Sequence, residues 1–189
     1  MSLSEILKNI PTDIRGNRIE IGDRLIVGQK IPTVNGNRSV VNFARVISIN
    51  YNKKLIQFTT PKDFDKTTSM SFATVGKKTF MLSKNYFENH ASDFKCHSGS
   101  IRNRKETINI NDRVIYVNND ASLSFGRVLS TTENGDVEII GDGNKRSKVV
   151  DGVDVSIKVY MHTKNFFKNH KGNKCYDSHL RKGLKQNQR

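Results

Sequence analysis

The sequence contains no tryptophan, only two cysteines, and few acids: 18 Asp or Glu stand against 32 Lys or Arg in 189 residues. Two thiols, Cys96 and Cys175, cannot build a disulfide framework, so reduced thiols in a cytoplasmic setting are expected. No apolar run approaches the ~18 residues of a membrane-spanning helix. The opening MSLSEILKNIPTD has an early Glu and neither an apolar core nor a small-residue cleavage site, so no secretory signal is expected. There is no long basic amphipathic helix or lipidation signal, so no membrane partner is expected either. Apolar residues make up 35%, below the ~45–50% of average domains, which allows one or two small cores rather than a large domain around a deep cleft.

Signatures of catalysis are equally scarce. No carboxylate cluster has the spacing of a two-metal nuclease, and no Ser/His/Asp arrangement stands out. Gly141-Asp142-Gly143-Asn144-Lys145 lacks the second half of a phosphate-binding loop and reads as a turn. Histidine and cysteine recur as His90, Cys96, His97 and as His170, Cys175, His179, with His162 nearby. Zinc needs four close ligands, and these spacings match no zinc module, so buried cysteine and helix-end histidine packing is the expected role. No enzyme activity, metal or cofactor is expected.

What the chain has in excess is positive charge, a formal +14, which calls for a polyanionic partner. It also repeats itself. Ile19-Glu20-Ile21-Gly22-Asp23-Arg24-Leu25-Ile26-Val27 aligns with Ile108-Asn109-Ile110-Asn111-Asp112-Arg113-Val114-Ile115-Tyr116. Phe43-Ala44-Arg45-Val46 aligns with Phe125-Gly126-Arg127-Val128, and Lys84-Asn85-Tyr86-Phe87-Glu88-Asn89-His90 with Lys164-Asn165-Phe166-Phe167-Lys168-Asn169-His170. The offset falls from 89 (Asp23 to Asp112) through 82 (Arg45 to Arg127) to 80 (His90 to His170), as in a duplication whose second copy has shortened loops.

Each copy reads mainly as strands. Val46–Ile49 and Leu55–Phe58 flank a polar turn, and Arg127–Ser130 and Asp136–Ile139 flank Thr132-Glu133-Asn134-Gly135, where Asn-Gly favours a tight primed turn. A short helix is expected after Ser83 and after Thr163 as N-caps. Ahead of the first copy, Ser2-Leu3-Ser4-Glu5 fits a capping box, and Leu3, Ile6, Leu7 and Ile10 fall at helical spacing up to Pro11. The expected fold is mainly β: two tandem small SH3-like barrels with short helices and an N-terminal helix, the copies packing together or sharing that helix because each alone buries little. The corresponding segments are 1–17 (helix and lead-in), 18–97 (first repeat), 98–106 (basic linker), 107–179 (second repeat) and 180–189 (basic tail).

Among candidate contacts for phosphate, residues 158–189 hold nine Lys or Arg against the single acid Asp177. Lys164, Lys168 and Lys171 fall at i, i+4, i+7, one helical face, with Phe166 and Phe167 turned to the barrel. Lys174, Arg181 and Lys182 follow, and Arg102, Arg104 and Lys105 sit in the linker. Lys145, Arg146 and Lys148 form a basic loop tip. Arg45 and Arg127 lie between apolar neighbours in a strand and face solvent or a groove, whereas Arg24 and Arg113 follow an Asp that would serve as a local ion-pair partner. A solvated basic face without function is the alternative reading of the whole group. Phe43, Tyr51, Phe58, Tyr116 and Phe125 read mostly as core; with no Trp and so basic a chain, a methyl-lysine cage is not favoured, and one or two of them suit stacking on unpaired bases.

Asn111-Asp112-Arg113-Val114-Ile115-Tyr116-Val117, a polar loop, Phe125-Gly126-Arg127-Val128 and Asn134-Gly135-Asp136-Val137-Glu138-Ile139 together resemble a KOW motif, the strand–loop–strand element of SH3-like barrels in ribosomal proteins and elongation factors. The first copy departs from it at Ala44, and its loop between Arg24 and Arg45 is seven residues longer. The opening SLSEILKNIPTDIRGNRI, then GDRLIV, in a basic Asn- and Lys-rich chain, is similar to the MotB family of T-even-type bacteriophages. That resemblance implies a small KOW-containing DNA-binding protein, acting on transcription or the nucleoid in the bacterial host and meeting modified phage DNA or host nucleoid proteins. The leading expectation is a non-catalytic binder of double-stranded DNA with low sequence specificity. RNA binding by a KOW module, or docking on an acidic host protein, are the alternatives.

Overall fold

The computed structural model describes residues 9–60, 67–84, 86 and 107–169, with 168 and 169 described by their backbone only. Most of the expected N-terminal helix, the linker and the basic tail lie outside the described residues. So do Arg102, Arg104, Lys105, Lys171, Lys174, Arg181, Lys182 and the Cys and His residues discussed above other than His162.

Two copies of one skeleton follow each other. The first runs β1 (Arg24–Thr33), β2 (Gly36–Asn50), β3 (Leu55–Thr59), β4 (Thr68–Ser71), α1 (Phe72–Lys78) and β5 (Thr79–Ser83). The second runs β6 (Arg113–Val117), β7 (Leu123–Thr131), β8 (Val137–Gly141), β9 (Ser147–Val150), α2 (Gly152–Lys158) and β10 (Val159–Thr163), then one turn, α3 (Phe166–Asn169). The sheet orders are β4-β3-β2-β1-β5 and β9-β8-β7-β6-β10, antiparallel throughout. A meander whose fifth strand returns to the first, with a short helix before it, is the SH3-like barrel order, and the protein is a tandem of two such small barrels. A register shift falls between Val46 and Ser48 in one copy and between Val128 and Ser130 in the other, bending the long second strand at the same place. No helix among the described residues is long and apolar enough to cross a membrane.

The continuous apolar runs of the first strands are explained by what covers them. Successive side chains of a strand point to opposite faces. Leu25 and Val27 enter the core of the first barrel with Val46, Ile56, Phe58 and Val75, while Val114 and Tyr116 enter that of the second with Val128 and Ile139. Their neighbours Ile26, Ile115 and Val117 point the other way, into a third core shared by both copies with Val41, Phe43, Phe80, Ala121, Leu123 and Tyr160. Each such side chain contributes about 1.5–3 kcal/mol on burial. An ion pair at the same junction, Arg38 with Asp154, contributes about 0–1 kcal/mol at its exposure, so the apolar seam fixes the two barrels.

The seven extra residues of the first copy form no loop. They prolong the β1–β2 hairpin, whose pairing runs from Arg24↔Arg45 out to Thr33↔Gly36, whereas β6–β7 closes at Val117↔Leu123. The prolonged hairpin lies on the second copy. Ser39 Oγ donates to the Asn119 carbonyl at 3.0 Å, and a Cβ placed on Gly28 would sit 2.2 Å from the Ala121 carbonyl oxygen. Only glycine permits that approach.

Three local expectations are corrected. The helices after β4 and β9 were not foreseen, and α3 begins at Phe166 rather than at a Thr163 cap, because Asn165 takes a left-handed turn (φ 52°) and donates its N–H to Asp112 Oδ1 at 2.6 Å. Lys164 therefore precedes the helix instead of sharing its face. In the β7–β8 turn the only left-handed residue is Gly135, with Gly135 N–H donating to Thr132 C=O at 3.0 Å, so Glu133-Asn134 is the centre of the turn and the primed geometry does not occur.

Candidate nucleic-acid interface

The repeated Asp-Arg pair opens the first strand of each barrel. Asp23 and Asp112 are 0% exposed and hold the preceding loop: Glu20 N–H donates to Asp23 Oδ2, and Asn109 N–H to Asp112 Oδ2, both at 2.8 Å. The residue before each aspartate is left-handed, Gly22 (φ 88°) in one copy and Asn111 (φ 72°) in the other, which explains the residue types found there. Asp13 is similarly consumed, accepting the N–H groups of Arg15, Asn17 and Met81 at 2.9 Å. These three carboxylates are thus spent inside loops and add no negative charge to the outer surface.

The following arginines sit in a row across each sheet. In the first, Ser83, Arg24, Arg45 and Thr59 are successive cross-strand partners; in the second, Thr163, Arg113, Arg127 and Ile140 are. Direct neighbours in a sheet have Cβ atoms ~4.5–5.5 Å apart, and like charges there are destabilising. The duplication nonetheless keeps Arg beside Arg in both copies, and an exposed lysine, Lys84 or Lys164, follows the row at its β5 or β10 end. Lys84 meets Glu20 at 3.1 Å.

Rings hold the inner arginines. The guanidinium of Arg24 lies 4.4 Å from the Phe43 ring centre and 5.0 Å from that of Tyr86; Arg113 lies 4.9 Å from Phe125 and 5.2 Å from Phe166. A delocalised, weakly hydrated guanidinium suits such a sandwich better than a strongly hydrated ammonium does. Arg113 pairs with Asp142 at 2.5 Å, a partner 29 residues away, rather than with the adjacent Asp112, which corrects the local ion pair expected for it. Arg127 is exposed, donates to Asn111 Oδ1 at 2.6 Å and lies 5.1 Å from the Phe167 ring; Arg45 is half-buried. Phe166 is buried and Phe167 half-buried, so the pair turns to the barrel as expected.

Because Arg127 faces Ile140, the β8–β9 turn leaves the sheet at the end of this row, carrying the exposed Lys145 and Arg146. Lys164 leaves at its other end. The structure therefore gathers Arg113, Arg127, Lys145, Arg146 and Lys164 at one end of the second barrel. Lys148 is not among them. It lies on β9, half-buried, its Nζ 3.8 Å from the Tyr116 ring centre and 3.4 Å from the Val117 carbonyl, which corrects its placement in the loop tip. Burial first, then Lys158, pulls its pKa down to about 8. The side chain of Lys168 lies outside the described residues.

Of the five aromatics considered, Phe43, Phe58 and Tyr116 are buried and Phe125 half-buried; Tyr51 is 49% exposed. His162 packs edge-on between Phe80 and Phe125, at 5.4 and 5.6 Å, with Nδ1 2.7 Å from Thr163 Oγ1. Burial, then the nearby Arg113 and Arg15, lowers its pKa to about 4, so it is neutral at physiological pH. Among the described residues no group of three His, Cys, Asp or Glu is placed to hold a metal ion.

No protein-family model matches the chain, and no curated protein matches its sequence. Among solved structures it is similar to the tandem Agenet domain 3-4 of ADCP1 and to AGD34 of Arabidopsis thaliana AGDP1. Each is 12% identical with a TM-score of 0.34, over 86% of this chain and 89% and 91% of theirs respectively.

Proposed function

We propose that the protein is a non-catalytic nucleic-acid-binding protein that grips the phosphates of double-stranded DNA with little sequence preference. The observation that supports this best is the doubled arginine row, with Lys84 or Lys164 beside it, on a chain of net charge +14. Arg24 and Arg113 are buried and ring-held, and Arg113 is paired with Asp142, so Arg45, Arg127 and the two lysines are the cations of the row that meet the phosphates in this reading. Base readout is weak in this reading, because the helices among the described residues have at most seven residues and none is a recognition helix for the major groove. The finer role implied by the MotB resemblance, modulation of transcription or nucleoid structure on phage or host DNA, belongs to the same proposal.

Binding to duplex DNA and to matched RNA across a salt series tests it. Log affinity for DNA should fall linearly with log salt, with a slope of ~0.9 per phosphate neutralised and several phosphates in total. Tighter binding to RNA would move the protein to the ribosome-like KOW reading. Binding to neither at moderate salt would overturn the proposal and leave an acidic protein as the partner.

A further inference from the structure

We infer that the β2–β3 hairpin tip of the first barrel is a stacking site for an unpaired nucleobase, a reading that rests on the nucleic-acid proposal and names a second contact within it. The tip forms an open concavity of about 540 Å³ lined by Ser48, Asn50, Tyr51, Asn52, Lys53 and Gln57, within the range of small-ligand sites. Tyr51, 49% exposed, stands in its wall. The ring packs against Phe72 edge to face, centres 6.0 Å apart and planes at 79°, so Phe72 fixes it while covering at most one of its faces. The backbone around it is tied down: Lys53 N–H donates to Asn50 Oδ1 at 2.9 Å, and Phe72 N–H to the Lys54 carbonyl at 3.0 Å. Ser48 Oγ holds Gln57 Oε1 at 2.6 Å, which orients the Gln57 amide.

The chemistry selects the occupant. A flat face, amide groups able to meet a base edge, and exposed Lys53 and Lys54 for the flanking phosphates fit one nucleotide displaced from a stack. Among the described residues no carboxylate lines the concavity and Tyr51 is the one ring in it, so a cationic side chain finds there neither a counter-charge nor a cage. The equivalent turn of the second barrel, Thr132 to Asp136, carries two acids and no ring. The site therefore belongs to one copy and is no by-product of the repeat.

The test compares wild type, Tyr51→Phe, Tyr51→Leu and Tyr51→Ala on a fully paired duplex and on the same duplex with a short unpaired bubble, at one salt concentration. Leucine keeps an apolar cover over Phe72 while removing the flat face, and thermal melting reports any loss of fold. Wild type and Tyr51→Phe should prefer the bubble, and the Leu and Ala variants should lose about tenfold of affinity for it while keeping affinity for the duplex. Equal losses on both DNAs, or a wild type that binds the duplex with no preference for the bubble, would overturn this inference alone. A wild type that binds neither DNA would overturn the parent proposal with it.

Discussion

The two barrels share a skeleton residue for residue at the Asp-Arg mouth and differ most in one hairpin. In the first copy β1 and β2 run on past Gly28 and Ser39 until they lie against the second; in the second copy β6 and β7 turn back at once through Asn118–Ser122. The mouth is kept wherever the buried carboxylate, the left-handed residue before it and the ring-held arginine depend on one another. The far end of the hairpin carries none of these groups. It meets the second copy through Ser39 and Gly28, beside a core that neither copy owns, and the contrast separates what makes a barrel from what makes the pair.

Cutting the chain between the copies gives the largest expected effect. Separated halves expose Ile26, Val41 and Phe43 on one side and Ile115, Val117 and Leu123 on the other, and neither should show a cooperative thermal transition, while the intact chain melts in one. A half that melts cooperatively alone would break the comparison. Gly28→Ala should cost about 1–3 kcal/mol by pushing the Ala121 carbonyl away, measured by denaturant unfolding. Arg38→Ala, which removes the ion pair at the same junction, should cost less than about 1 kcal/mol; the reverse ranking would mean that charge, not packing, joins the barrels.

Smaller effects sharpen the likeness of the two rows. Arg45→Ala and Arg127→Ala should each lower the salt slope of DNA binding by ~0.9, the share of one phosphate. Matching losses mean that both barrels grip; a loss at one alone assigns the contact to that copy. The pH dependence of stability is a separate readout. His162 has a folded pKa of about 4 against an ordinary 6.5, so the unfolded chain takes up its proton first, and stability is lost as pH falls from about 6.5 towards 4. His162→Phe should flatten that limb of a Tm–pH curve. Lys148 acts at the other end. Its folded pKa of about 8 lies below the ordinary 10.5, so stability rises from pH 8 upwards, until Tyr116, whose pKa burial raises above 10.0, reverses the trend. Lys148→Met should remove the rise.

Duplication and most strands were legible because their signals are local: Asp-Arg before an apolar run, Phe-x-Arg-Val, and polar turns between alternating residues. The packing of the copies was also in the sequence, as the unbroken Leu25-Ile26-Val27 and Val114-Ile115-Tyr116-Val117, runs that need cover on both faces. The helices Phe72–Lys78 and Gly152–Lys158 were not, since about two turns are too few for helical periodicity to register, and Thr74, Gly76, Val153 and Val155 are weak helix formers. The partner of Arg113 was hidden because Asp142 comes near only when β8 folds back beside β7. Lys148 read as a loop cation because nothing local reveals that its neighbour across space is the ring of Tyr116.

The prolonged hairpin also bears on descent. Once β1 and β2 had grown across onto the neighbour, and Gly28 had been fitted to the bend at Ala121, either copy became unfit to stand in for the other. A freshly doubled gene can lose one copy and keep a working barrel; in this chain the loss of a copy lays bare an apolar face shaped to the other. The hairpin works as a ratchet, turning a reversible doubling into a single inherited unit.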